Sequence, residues 1–471
     1  MARLIEDTTR YLKHQLDQNS RVLLVNPPVQ ERRYHWLRWN QPAELLRLSS
    51  WLKATHPGID VRLFDFMFPD DVGSVPKHKV KETWTGSADD AQMWHFGQPF
   101  DVFERFLESA SLQSNWIPDV IIISSLTSYW HVAIEKLLIK VCTSLGRKKR
   151  KGVTICLYGN YPRFEPEHAA DQQDADIAFP RSVETRGHLP DFRLYLEAHE
   201  RLPAFFGLDI EDQAVDQHLA ACLELQAQAP RARGSTRAPT ITTVFLNDDV
   251  CSASSQLARV VAFSQTHPKK VMIEGICGIE PRSLTAESIT QLQLAGFRSL
   301  FVEHARLPGG GVDVDKYESI LSFIRDEGHA KKSGRSSAPW TELANVTGFV
   351  AMGLPDDDAE ELVRATLLIN SFFQAVILKP YGFSPTNDSA SVSERRRRWS
   401  MPCASSPQWF PYVNHGSHLG VTDYENLVRW QNVLNKRVKG TTFDFLDEGM
   451  VPRLVRETLV AESWKRQEGA R

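Results

Sequence analysis

Apolar runs of strand length alternate with stretches of helical periodicity through the first 180 residues, and that alternation is the pattern of a parallel sheet covered by helices on both faces. "RVLLVNPPV" (21–29) is a buried strand stopped by two prolines. "AELLRLSSWLKAT" repeats apolar residues at helical spacing, "DVRLFDF" (60–66) is a second strand and "PDVIIISSLTS" (118–128) a third. The helix "WHVAIEKLLIKVCTSL" then leads to a fourth strand, "VTICLYGNYP" (153–162), and to a short "ADIAF" (175–179). Between the second and third strands the segment with Trp84, Trp94, His95, Phe96 and Phe100 reads as an elaborated loop or lid.

Sheets of this class bind ligands outside the carboxyl ends of their strands. Here those ends read Asn26-Pro27-Pro28, Ser124-Ser125-Leu126-Thr127 and Tyr158-Gly159-Asn160-Tyr161-Pro162, with Trp130 close behind the second. Such small, polar or turn-forming residues let a large ligand reach the backbone. None forms a GxGxxG or GxxxxGK[ST] loop, so a dinucleotide or nucleoside triphosphate has no phosphate cradle.

"QAQAPRARGSTRAPT" (226–240) is a Pro/Arg/Gly/Ser-rich break. After it strands and helices alternate again: "TTVFLNDD", "KVMIEGI", "SLFVEHA", "NVTGFVAMGL" and "AVILKPYGF" each open a βα step, and "PAFFGLDI" (203–210) ahead of the break supplies a sixth. Six steps predict a partial (β/α)6 barrel. The expected organisation is residues 1–190 as a doubly wound Rossmann-like domain with an inserted loop around 70–115, residues 191–390 as the barrel and 391–471 as a helical extension.

Charge and cysteines exclude several function classes. The chain of 471 residues carries 55 basic and 58 acidic side chains, a formal net charge of −3 that offers nucleic acid no broad attraction. Its apolar stretches are far shorter than the roughly 20 residues of a membrane helix. The opening "MARLIEDTTRYLKHQL" has acids and no apolar core, so a cytoplasmic protein without a membrane partner is expected. Cys142, Cys156, Cys222, Cys251, Cys277 and Cys403 form no CxxC or CxxxCxxC, which argues against zinc or cluster loops. His415 and His418 stand three apart, with no third ligand to make a metal site, and none is expected.

The ordered succession of these segments resembles the cobalamin-dependent radical-SAM proteins, in which a B12-binding domain precedes a (β/α)6 barrel. "RVLLVNPP", "PDVIIISSLTS" and "YGNYPRFEPEHA" are similar to the corrin-binding strands of that family, and "VFLNDD", "IEGICGIEPRSL", "LAGFRSLFVEHA", "TGFVAMGLPDDDAEELV" and "LKPYGFSPTND" to its barrel strands. The resemblance spans residues 20–390 and implies cobalamin as cofactor, held by Asn26, Pro27, Pro28, Ser124, Ser125, Leu126, Thr127, Trp130, Tyr158, Gly159, Asn160, Tyr161 and Pro162. No DxHxxG follows the first strand, so histidine ligation of cobalt is not implied. After "AFFGLDI", where the family has CxxxCxxC, this chain has "EDQAVDQHLAACL". One thiol cannot hold a four-iron cluster, which takes three and leaves one iron for SAM.

Three readings follow. Adenosylcobalamin could place its adenosyl group in the space other members give to SAM, so that cobalt–carbon homolysis drives a radical rearrangement or cyclisation of a small metabolite. Methylcobalamin-dependent methyl transfer ranks second, and a non-catalytic cobalamin carrier or sensor third. The polar groups expected at the barrel mouth are Asn247, Asp248, Asp249, Glu274, Glu303, His304, Lys379 and Tyr381, because barrel active sites lie at the strands' carboxyl ends. Adjacent carboxylates split their pKa values and suit acid–base work, whereas alternation along a strand sends Glu303 and His304 to opposite faces.

Overall fold

The computed structural model describes residues 1–32, 41–70, 74–80, 93–113, 115–125, 131–185, 187–203, 205–209, 214–228, 242–246, 250–251, 254–267, 271–275, 278–297, 299–303, 315–320, 345–352, 358–373, 375–380 and 421–436. They fall into two compact units, one within Met1–Ala204 and one built from Phe205–Ala227, Thr236–Gly382 and Pro411–Arg471. None of the described helices is long and apolar enough to cross a membrane.

The first unit holds strands β1 (Arg3–Leu4), β2 (Arg21–Asn26), β3 (Val29–Arg32), β4 (Asp60–Asp65), β5 (Lys77–Lys79), β6 (Met93–Phe96), β7 (Val120–Ser125), β8 (Thr154–Gly159) and β9 (Ile177–Ala178). Its helices are α1 (Thr8–Gln15), α2 (Ala43–Thr55), α3 (Phe100–Gln113), α4 (His131–Arg150), α5 (Asn160–Phe164), α6 (Pro166–Ala170) and α7 (Arg193–His199). Six of the strands form one sheet in the order β1-β9-β8-β7-β2-β4, and every pairing in it is parallel. The central strands are near-continuous Val/Ile/Leu because both faces are covered. Leu23, Val25, Ile121, Ile123, Ile155 and Leu157 pack on one side with Phe103 and Leu107 of α3 and Leu137, Leu138 and Val141 of α4. Val22, Leu24, Ile122 and Cys156 are equally buried on the other. Each such aliphatic side chain contributes about 1.5–3 kcal/mol when fully removed from water.

Two segments differ from the sequence expectation. The fourth strand stops at Gly159, whose φ of 82° belongs to the left-handed region that favours glycine, and Asn160–Phe164 is already helix α5. Within 70–115, where a loop or lid is expected, the chain forms β5, β6 and α3. The prolines after β2 cannot extend a ladder. The chain leaves the main sheet there and β3 pairs antiparallel with β6, which pairs antiparallel with β5. Val29, Met67 and Phe96 form the small apolar cluster beneath this ribbon.

The second unit has strands β10 (Phe206–Leu208), β11 (Thr242–Leu246), β12 (Val271–Gly275), β13 (Ser299–Val302), β14 (Asn345–Met352) and β15 (Ala375–Pro380). Its named helices are α8 (Val215–Gln228), α9 (Ser254–Thr266), α10 (Ala286–Leu294), α11 (Ala359–Phe372) and α12 (Val421–Lys436). The strands pair in chain order, β10-β11-β12 and β13-β14-β15, all parallel. Parallel bridges Ile273–Phe297 and Ile279–Val302 link the two sets. Gly348 in β14 lets α11 approach, because a Cβ there would overlap Ile369. The outer edge of β15 is satisfied by side chains of α12: the Asn435 amide accepts from Val376 N at 3.0 Å and donates to Val376 O at 2.8 Å. Gln431 Oε1 accepts from Leu378 N at 3.4 Å. A sheet edge that would otherwise invite pairing is thereby covered.

The antiparallel ribbon contains a buried neutral histidine. His95 is 1% exposed, its Nε2 lies 3.0 Å from the Gln98 carbonyl, which only an N–H can match, and its Nδ1 lies 3.3 Å from the Gln30 amide nitrogen. Burial, opposed in part by the Gln98 bond, lowers its pKa to about 4. Between the unfolded value near 6.5 and the folded value near 4 the unfolded chain binds the extra proton, so this contribution is complete above about pH 6.5 and is lost as the pH falls toward 4. The expected loss is on the order of 3 kcal/mol at most. Urea unfolding of the first unit at pH 7 and pH 4.5 should show it, and His95→Leu should flatten the dependence; an unchanged slope in the variant would rule His95 out as its source.

Candidate functional site

The order of the first sheet places β2 between β4 and β7. The chain runs from β2 to β4 on one side and then crosses back to β7 on the other, so the winding reverses between β2 and β7. In open α/β sheets that reversal opens a crevice beyond the carboxyl ends of the two strands. Register aligns those ends: Asn26 pairs with Asp65, one residue beyond the Val25–Ile123 pair, while Ser124 pairs with Tyr158 and Ser125 with Gly159. Three strand ends predicted to bind the cofactor therefore stand in one row.

Their side chains are not equivalent. Asn26 Nδ2 donates to Asp65 Oδ1 at 2.6 Å, the Met67 amide donates to the same oxygen at 2.9 Å, and Tyr195 Oη donates to Oδ2 at 2.8 Å. Asp65 is 2% exposed, and burial, followed by the Asp65 charge, pushes the Tyr195 phenol well above its ordinary range. Tyr195 therefore stays a donor. Pro27 and Pro28 are buried, and Pro28 lies close to Gly97, where a Cβ would meet both it and the Phe66 carbonyl. This corner is a structural joint tying β2, β4, α7 and the ribbon together.

The β7–β8 side has a different character. Ser124 is buried at the end of β7, and of Ser125 only the backbone is described. The Tyr158 hydroxyl accepts from Val183 N at 3.2 Å; burial, then the nearby Glu44 carboxylate, raise its pKa. Gly159 ends β8, Asn160 is half-buried, and Tyr161 and Pro162 are buried in α5. Leu126, Thr127 and Trp130 lie outside the described residues.

Tyr161 belongs to a polar cluster that the sequence reading missed. Its hydroxyl is 2.7 Å from His168 Nδ1 and accepts from Gln172 Nε2 at 3.1 Å. Gln172 Nε2 also lies 3.3 Å from Glu135 Oε1. That same Oε1 is 3.9 Å from His131 Nε2 and 3.9 Å from His168 Nε2. Burial raises the Glu135 pKa, against a lowering by Gln172. His131, Glu135 and His168 are the one group of three described residues whose donor atoms could hold a metal ion, all within 4.8 Å of one another. The available signal was the His-x-x-x-Glu spacing at the start of α4, which puts both side chains on one helix face. Amide dipoles at that helix start disfavour a cation by about 0.3–1 kcal/mol, which is small beside the ~10–16 kcal/mol that a structural zinc supplies.

In the second unit Glu274 lies in β12 on the half-exposed face, opposite Val271, Ile273 and Gly275. Glu303 follows β13, and its carboxylate lies over Gly278, where a Cβ would overlap it. The Glu303 amide donates to Ile279 O at 2.9 Å and its carbonyl accepts from Tyr317 Oη at 3.1 Å. These two carboxylates stand at or near the carboxyl ends of neighbouring strands. Lys379 is in β15 with only its backbone described, and Asn247, Asp248, Asp249, His304 and Tyr381 lie outside the described residues. So do Cys277, Cys403, His415 and His418. Cys222 is 1% exposed and its thiol is pushed up by burial, while Cys251 is half-buried.

No family model matches the chain. No curated protein matches it either. Among solved structures it is similar to the radical S-adenosylmethionine methyltransferase TsrM from Kitasatospora setae with tryptophan substrate and a SAM analogue bound, at 11% identity, TM-score 0.48, over 80% of this chain and 77% of that one. The TsrM structure with cobalamin and a [4Fe-4S] cluster matches at 10% identity, TM-score 0.43, over 76% and 74% of the two chains.

Removing the Tyr195 hydroxyl leaves Asp65 one donor short inside the joint. Tyr195→Phe should destabilise the first unit by about 1.5–3 kcal/mol, the range for a hydrogen bond to a charged group. Urea denaturation measures this; a loss under about 0.5 kcal/mol, the level of an ordinary surface change, would show that the joint does not depend on the phenol.

Proposed function

We propose that this chain is a cobalamin-dependent enzyme that acts on a small metabolite without an iron–sulfur cluster, and that adenosylcobalamin is its cofactor. The observation that carries the reading is the strand order of the first sheet, β4-β2-β7-β8-β9, with its winding reversal between β2 and β7. It is combined with strand ends that lack any glycine-rich phosphate loop. A sequential run of six parallel strands follows, which is the order a (β/α) barrel has. The ordered resemblance of both halves to the cobalamin-dependent radical-SAM proteins supports the same reading.

The fit to a corrinoid is best at the ends of β7 and β8. Ser124, Ser125 and Gly159 present little side-chain bulk, so a large planar ligand can approach the backbone, with Asn160 and Tyr161 beside it. Asn26 acts behind them by fixing the edge through Asp65, and Pro28 by packing near Gly97. A four-iron cluster takes three thiolates, and the sequence has no CxxxCxxC to supply them. Of the two described thiols in the second unit, Cys222 is buried with a raised pKa that opposes the thiolate.

Bound adenosylcobalamin supplies carbon-radical chemistry by homolysis of its cobalt–carbon bond, a redox-neutral cycle that needs no cluster as electron source. The protein's part is to hold substrate and exclude water. Asp248, Asp249, Glu274, Glu303, His304, Lys379 and Tyr381 are assigned to the catalytic work, positioning the substrate and moving its protons.

Titration of the purified protein with adenosyl-, methyl- and hydroxocobalamin, followed by visible absorption, tests the reading. Saturable binding is expected, and failure to bind any corrinoid would remove it. Anaerobic incubation in the dark then separates the chemistries: 5'-deoxyadenosine or an EPR-visible radical pair supports homolysis, whereas a methylated product would replace it with methyl transfer. Asp248→Asn should cut turnover at least about 100-fold, the low side for a lost proton-transfer group, and damage turnover more than corrinoid affinity; full turnover would remove Asp248 from the site.

A further inference from the structure

We propose that His131, Glu135 and His168 form a binding site for a divalent first-row transition metal, zinc in the first place. Two imidazole nitrogens and one carboxylate oxygen converge within 4.8 Å of one another. His131 and Glu135 are one helical turn apart on α4, and His168 comes from α6. Both Nε2 atoms lie 3.9 Å from Glu135 Oε1, beyond hydrogen-bond reach. Around zinc, bonds of about 2.0–2.1 Å at tetrahedral angles space the ligand atoms about 3.3 Å apart. A side-chain shift below about 1 Å therefore closes the set, well within rotamer adjustment.

The neighbours are those that a metal-binding histidine needs. In the tautomer that carries its proton on Nδ1, His168 donates to the Tyr161 hydroxyl and presents an unprotonated Nε2 on the side of Glu135. A partner on the far ring nitrogen fixes the tautomer and orientation of a ligating histidine. The His131 and His168 side chains are 3% and 12% exposed and their rings meet edge to face at 4.9 Å, so the two imidazoles sit in a fixed, largely dry frame, with the Glu135 carboxylate 38% exposed at its edge. Two imidazoles and a carboxylate are a donor set of zinc and of ferrous iron, and three protein ligands leave a position for water or another small ligand. None of the three donors is among the residues assigned to the corrinoid, but Tyr161, which supports His168, is, so the metal is tested in the absence of corrinoid.

The test uses the full chain, free of affinity tag and corrinoid and stripped with a chelator. It is titrated with Co2+, whose visible ligand-field bands report coordination, and the Co2+ is then displaced by Zn2+. One equivalent should bind with intense bands, His131→Ala and His168→Ala should weaken binding more than about 100-fold, and Tyr161→Phe, which alters only the support of His168, about 10–100-fold. His14→Ala, an exposed histidine on α1, should leave the titration unchanged. Glu135→Gln preserves shape and should lose the bands with an unaltered far-UV circular dichroism spectrum, so it decides the matter if a histidine variant fails to fold. No saturable binding below about 0.1 mM, or binding by Glu135→Gln equal to that of the natural chain, would overturn the proposal.

Discussion

Asp65 accepts hydrogen bonds from Asn26, the Met67 amide and Tyr195 at a depth where an unmatched carboxylate would cost several kcal/mol. That requirement fixes how β2 and β4 end, where α7 docks and how the chain turns into the antiparallel ribbon. It also divides the carboxyl edge of the first sheet in two. The β2–β4 half is closed by its own hydrogen bonds and by the packing of Pro28 near Gly97. The β7–β8 half carries the small residues and the polar cluster around Tyr161, and there the sheet has chemistry to offer.

The central strands were legible because they are buried on both faces. Val22 to Val25, Ile121 to Ile123 and Ile155 to Leu157 are unbroken apolar runs, and no other local structure hides such runs so well. The strands that escaped notice are short, polar or both. Lys77-His78-Lys79 reads as surface, and the partner of Glu31 is Trp94, more than sixty residues away. Strand β1 is two residues long and exists through its pairing with β9. The end of the fourth strand was misplaced because its stop is a backbone angle at Gly159, not a change of polarity.

The same physics separates what was readable in the candidate sites. Asn26 was found by position but its engagement with Asp65 was not, since a bond across 39 residues leaves no local pattern. His168 lies 37 residues beyond His131, and its approach depends on α5 and α6 folding back after Gly159. In the second unit, Gln431 and Asn435 look like the polar side of an amphipathic helix, yet they meet the backbone of β15. The strand ends with Glu274 and Glu303 were legible because a parallel strand followed by a helix announces its carboxyl end.

The central claim is that the carboxyl ends of β7 and β8 receive the corrinoid. Amide hydrogen exchange of the full chain, measured with and without saturating cobalamin, tests that placement directly. Slowed exchange concentrated in peptides covering residues 120–130 and 154–165 is expected, with the interior of β2 unchanged because it is already protected. Slowing confined to other segments, or no change with excess cobalamin, would contradict it.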